Sequence, residues 1–117
     1  MFELYLIRHA VAEERGPEWP DDAKRPLTED GIARMRKAAK GLKRLDVRFD
    51  VVMASPLVRA RQTADVVASV FDEKPPLVLT TSLAPGGRYS DLLADLQKQV
   101  RRTRIALVGH EPDLGRL

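Results

Sequence analysis

A chain of 117 residues has the length of one ordinary domain; with 44% hydrophobic and 32% charged residues and no long apolar run, it is no membrane-spanning helical protein. Twenty Lys and Arg against 17 Asp and Glu leave a formal charge of +3, too small and too interspersed to imply nucleic-acid binding, and three Phe, two Tyr and one Trp are few platforms for stacking bases. The absence of cysteine excludes disulfides, thiolate metal sites and thiol catalysis, and with no basic segment before a short apolar N-terminus the expected compartment is the cytoplasm.

Phe2 to Ile7 is apolar apart from Glu3 and reads as a strand buried on both faces, delivering Arg8 and His9 at its carboxyl end. Ala10 to Leu27 holds Gly16, Pro17, Pro20 and Pro26 among charges and reads as a long surface loop. Its Glu13, Glu14, Glu18, Asp21 and Asp22 are expected to form a solvated acidic stretch, able to supply an acid only if the loop folds over a site. Thr28 is the expected N-cap of a helix with Glu29 and Asp30 in its first turn and Ile32, Met35, Ala39, Leu42 and Leu45 at helical spacing.

Asp50 to Ala54 is a second buried strand, after which Ser55 and Pro56 are expected to start a helix, as N-cap and first helical residue, that runs to about Phe71. Leu77 to Thr80 is a third strand and Ala84 to Gly87 a loop. Ser90 then caps a helix whose apolar face is Leu92, Leu93, Leu96 and Val100, and Arg104 to Val108 is a fourth strand ending at Gly109 and His110. Alternating strands and helices predict an α/β fold with a mostly parallel sheet, a single domain over residues 1–117. Pro112 looks like the start of another helix so close to Leu117 that the domain is expected to be C-terminally incomplete.

Parallel α/β sheets bind ligands at the carboxyl ends of their strands. Here those ends carry Arg8 and His9, then Ser55 with Arg59 one helical turn on, then His110. Two guanidinium groups, a helix N-terminus and two imidazoles around one point describe a phosphate pocket, because guanidinium matches phosphate oxygens in bidentate fashion and stays charged. Taken singly, each residue has a plainer reading: His9 as a strand-end histidine with a satisfied hydrogen bond, His110 as turn chemistry, Arg59 as a solvated helix charge like Arg61, and Ser55 as a cap.

The residues together carry a resemblance. Leu6-Ile7-Arg8-His9-Ala10 resembles the Arg-His-Gly signature of the histidine phosphatase superfamily in its Arg-His-Ala variant. Arg25-Pro26-Leu27-Thr28 with Gly31 is similar to the family's Leu-Thr-x-x-Gly block, and Ser55-Pro56-Leu57-Val58-Arg59-Ala60 with Gln62 and Thr63 to its Ser-Pro-x-x-Arg-Ala-x-Gln-Thr block. Val108-Gly109-His110-Glu111-Pro112 is similar to the Gly-His block of SixA-type phosphohistidine phosphatases. Four blocks in the family's order span essentially the whole chain. The resemblance implies a phosphoglycerate mutase-like three-layer αβα sandwich and a metal-independent, cofactor-free phosphatase with His9 as nucleophile. Arg8 and Arg59 would clamp the phosphate, Ser55 and His110 would join in binding it, and a protonated His110 would add a donor. Lys24 and Arg88 are candidate rim contacts.

Many family members that cleave phosphate esters place a Glu or Asp between the second and fourth blocks as general acid, whereas Ser82 to Gly87 contains no carboxylate. Imidazole is a less demanding leaving group than an alkoxide, so the expected substrate is phosphohistidine on a protein in signal transduction, with neither nucleic acid nor membrane as partner. A small-molecule phosphomonoester phosphatase is the alternative, and an inactive phosphate-binding or adaptor module the second alternative.

Overall fold

A computed structural model of the protein describes residues 3–99, 103–111 and 113–116. Its strands are β1 (Glu3–Arg8), β2 (Val51–Ala54), β3 (Leu77–Leu79) and β4 (Arg104–Gly109), and its helices α1 (Glu29–Arg44), α2 (Val58–Val70) and α3 (Tyr89–Gln97). Short 3-10 turns cover Asp22–Lys24, Thr81–Leu83 and Leu114–Arg116. All strand pairs are parallel, in the order β1-β4-β2-β3, so the last strand lies between the first two. Parallel neighbours need crossovers, which the helices supply.

The two faces follow from the two-residue period of β2 and β4. Val52, Ala54, Ala106 and Val108 face Ala39, Phe49, Ala60, Ala64, Val67 and Phe71 on the α1 and α2 side. Val51, Met53, Ile105 and Leu107 face Leu83, Leu92, Leu96 and Leu114 on the α3 side. This is the expected α/β architecture, with helices on both faces of a parallel sheet. Edge-to-face contacts of Phe49 with Tyr5 and with Phe71, at centroid distances of 5.1 and 5.2 Å, join β1 to the end of α2.

The structure corrects several local expectations. β1 is a sheet edge with Leu4 and Leu6 exposed, where the apolar run read as buried on both faces. Phe2 lies outside the described residues, as do Val100 and Pro112. The Thr28 cap holds, its hydroxyl accepting the Gly31 N–H at 2.9 Å, but Leu45 is the C-cap of α1 and is exposed. Ser55 and Pro56 do not begin α2: its N-cap is Leu57, whose N–H donates to Ser55 Oγ at 3.2 Å in a turn ahead of the helix. Ser90 sits inside the first turn of α3, whose N-cap is Arg88, and Leu93 is exposed.

Gly31 explains why the second block ends in glycine. A Cβ there would stand 2.3 Å from the carbonyl oxygen of Val11, the oxygen that accepts the Thr28 N–H at 3.0 Å. Glycine to alanine inside a helix ordinarily stabilises by about 0.5–1 kcal/mol. Gly31→Ala is expected to do the opposite, costing about 1–3 kcal/mol by pushing the 10–27 loop off α1. Gly41→Ala on the same helix, with nothing within 4 Å of its would-be Cβ, is expected to be neutral or stabilising. Thermal or urea unfolding of the two variants measures the contrast.

Candidate active site

The parallel register of β1 and β4 pairs Arg8 with Gly109, and the His9 N–H continues the ladder to the Gly109 carbonyl at 3.0 Å. His9 and His110 therefore leave adjacent strand ends side by side, their ring centroids 5.1 Å apart and their planes tilted by 56°. With Arg8, Arg59, Arg15, Arg25, Val11, Pro85 and Glu111 they line one cleft of about 720 Å³. The four chemically distinctive residues expected from the sequence thus meet at one place.

His9 Nδ1 lies 2.8 Å from the Ala10 carbonyl oxygen, an acceptor only, so the neutral ring carries its proton on Nδ1 and leaves an unshared pair on Nε2. Burial and, behind it, the positive charges of Arg59 and Arg8 hold this imidazole below its ordinary pKa, while its bond to Ala10 partly opposes them. His110 is almost fully buried, and its Nε2 is 2.9 Å from Ser55 Oγ. Ser55 Oγ also accepts the Leu57 N–H; with its own hydrogen turned to Nε2, a neutral His110 would carry its proton on Nδ1. That Nδ1 and the Nε of Arg59 are the buried side-chain nitrogens without a partner among the described residues. Burial first, then Arg59 and His9, depresses His110 to a pKa of about 4. With only the protein's own groups around it, His110 is a neutral ring at neutral pH.

Residues of α2 and its lead-in fix this arrangement. Ser55 is completely buried and reaches His110 rather than the cleft, so its contact is with the histidine. The Thr63 hydroxyl accepts the Ala10 N–H at 3.0 Å and donates to the Arg59 carbonyl at 2.8 Å. Gln62 accepts the Leu27 N–H at 2.8 Å, and Leu27 forms an antiparallel bridge with Ala12. The third sequence block is therefore a set of ties between α2 and the loop after His9.

Three features were missed by sequence reasoning. Arg15 and Arg25 line the cleft, although only the Arg-Pro-Leu-Thr block hinted at the second. Glu111, given no role of its own by the sequence, also lines it. Asp22, read as part of a solvated acidic stretch, instead bonds Arg59 and Arg25. Its carboxyl, held below the ordinary range chiefly by the Arg25 hydrogen bond, is no acid at neutral pH. Arg88 lies along a neighbouring hollow with His110, and Lys24 lies on neither wall.

The family model described as "Histidine phosphatase superfamily (branch 1)" matches residues 4–84. The chain belongs to the histidine phosphatase superfamily. An uncharacterized protein of Picosynechococcus sp. is 39% identical over 97% of this chain and 68% of its own length. The phosphohistidine phosphatase SixA of Escherichia coli is 27% identical over 98% of this chain and 71% of its own. Among solved structures, the protein histidine phosphatase SixA complexed with tungstate superposes with a TM-score of 0.86 at 28% identity, covering 97% of this chain and 72% of that one. Superfamily membership and these neighbours support a phosphatase with a phosphoglycerate mutase-like fold.

The lowered pKa values of His110 and His9 set a pH dependence. A folded pKa below the unfolded value means that the unfolded chain binds more protons in between, so stability is complete above about pH 6.5 and is lost as pH falls toward 4. His110 alone corresponds to roughly 2–3 kcal/mol across that window. The depressed carboxyls of Asp22, Asp50 and Asp95 act at lower pH, below their ordinary 3.8. Urea unfolding at pH 7, 5.5 and 4.5 is expected to show this fall, with a visibly flatter profile in His110→Gln.

Proposed function

We propose that the protein is a metal-independent phosphohistidine phosphatase in which His9 Nε2 takes the phosphoryl group. The observation that carries the reading is His9 itself: its Nδ1 is committed to the Ala10 carbonyl, and its other nitrogen belongs to a ring beside His110 in an arginine-lined cleft. In the proposed reaction the Nε2 lone pair attacks phosphorus in line, and the phosphorus–nitrogen bond of the substrate breaks with its electron pair returning to the substrate imidazole. Arg8 and Arg59 would hold the equatorial oxygens, with His110 Nδ1 and Arg59 Nε, both without a partner among the described residues, as further donors. His9 needs to lose no proton in this step. The intermediate is an N-phosphoryl imidazolium, still protonated on Nδ1, and water then displaces neutral His9 and releases orthophosphate.

The substrate class follows from where the leaving group takes its proton. An alkoxide must be protonated at the bridging oxygen inside the site, which calls for an acid there. A phosphorylated imidazole can be protonated on its far ring nitrogen, away from the scissile bond, and then leaves neutral. The segment 82–87 offers no carboxylate, in keeping with the second case. The tight superposition on a SixA at 28% identity supports the same class, with a phosphohistidine protein as the partner.

Glu111 favours a second reading. A carboxylate on the cleft wall is a candidate acid for an ester, as a small-molecule phosphomonoester phosphatase would require. Phosphate release from a phosphohistidine protein and from p-nitrophenyl phosphate or phosphoserine separates the two. We expect at least a hundredfold preference for phosphohistidine in kcat/KM and a change of less than threefold in Glu111→Gln. His9→Ala is expected to lose a thousandfold or more, and Arg59→Ala a hundredfold or more. Equal turnover of esters together with a large Glu111→Gln loss would transfer the assignment to the phosphomonoester reading. Binding of phosphohistidine without turnover would indicate a binding module.

A further inference from the structure

Resting on the placement of Arg59 at the phosphate, we propose that Asp22 is a positioning residue that aims the Arg59 guanidinium and trims the positive charge of the cleft to suit one phosphoryl dianion. Arg59 has almost no exposure, so its charge needs a partner and its orientation needs fixing. Asp22 supplies both from behind the cleft wall. Its backbone carbonyl accepts from Arg59 Nη1 at 2.8 Å and its Oδ2 from Nη2 at 3.0 Å, so one residue grips the two outer nitrogens. The Nε of Arg59 is left without a partner among the described residues. A guanidinium gripped along one edge cannot rotate, and its remaining donors stay aimed.

The same carboxylate organises the rest of the cationic wall. Oδ1 accepts from Arg25 Nε at 2.9 Å and lies 3.7 Å from Arg15 Nε, while Arg25 Nη1 donates to the Glu13 carbonyl at 2.6 Å. Asp22 is in turn held in a 3-10 turn capped by Asp21, whose side chain accepts the Ala23 N–H. Four arginines line the cleft, and Glu111 and Asp22 oppose them, which leaves two formal positive charges. A phosphoryl group carries about two negative ones at neutral pH. Burial draws Arg59 below its ordinary pKa, and the charge of Asp22 is the largest effect opposing it.

Asp22→Asn removes the charge and the firm grip but keeps the size of the side chain. A more positive cleft strengthens ground-state attraction while a loosened Arg59 weakens the fit, so the two oppose each other in KM. Alignment that matters only in the transition state appears in kcat. Three readouts are compared: steady-state kinetics on a phosphohistidine protein, calorimetric binding of tungstate, and the Nε–H proton resonance of Arg59, identified by its loss in Arg59→Lys. The expected result is a tenfold or greater fall in kcat with KM and the tungstate dissociation constant changed less than threefold. Loss of the slowly exchanging Arg59 Nε–H signal and recovery of most of kcat in Asp22→Glu complete the expectation. Wild-type kcat in Asp22→Asn, or an unchanged Arg59 signal, overturns the proposal. A tenfold gain in tungstate affinity with faster turnover also overturns it, marking Asp22 as an internal competitor of phosphate. An unfolded Asp22→Asn does so as well, marking Asp22 as a structural staple. Should the wild type release no phosphate, the phosphatase reading fails by itself, and tungstate binding and the Arg59 resonance still decide the role of Asp22.

Discussion

The pairing of β1 with β4 is the constraint on which the site depends. These strands lie about a hundred residues apart in sequence, yet a ladder ending in the His9 N–H to Gly109 carbonyl bond fixes two imidazoles at neighbouring strand ends. A parallel register admits no intermediate setting: a slip of one residue would turn each β1 side chain to the opposite face and remove His9 from the cleft. β4 can hold this register because it lies between β1 and β2 and is buried from Ile105 onward, with Ile105 to Val108 packed into both cores.

Around the two histidines the chain balances desolvation against charge. Burial holds both imidazoles below their ordinary pKa. The same burial penalises Arg59, and the loop after β1 returns a carboxylate to compensate it. The long segment from Ala10 to Leu27 is therefore part of the site rather than an ornament on its rim. It is fastened by the Ala12–Leu27 bridge, the Gln62 contact to Leu27 and the close passage of Val11 over Gly31.

Much of this was legible in the sequence because it rests on local chemistry. Strand and helix alternation, the Thr28 cap and the positions of Arg8, His9, Arg59 and His110 follow from periodicity, capping and the strand-end rule. The misses have one physical cause, which is that a residue's partner across the fold is invisible locally. Ser55 looks like an N-cap, but its hydroxyl is occupied by Leu57 and His110, so the helix starts later. Asp22 looks like any acid in a hydrophilic loop until α2 brings Arg59 beside it. The apolar run of β1 reads the same whether it ends up at the centre or the edge of a sheet, since a sequence window carries no information about neighbours.

Thr63 gives that dependence a mechanical form. Its single hydroxyl joins the backbone just after His9 to the carbonyl of Arg59, so loop and helix share one completely buried pin. The strand end that carries His9 is thereby tied to the first turn of α2 through one side chain. The parts of the cleft wall that His9 and Arg59 supply are thus held by one fastening, where a cleft assembled from independent segments would need several.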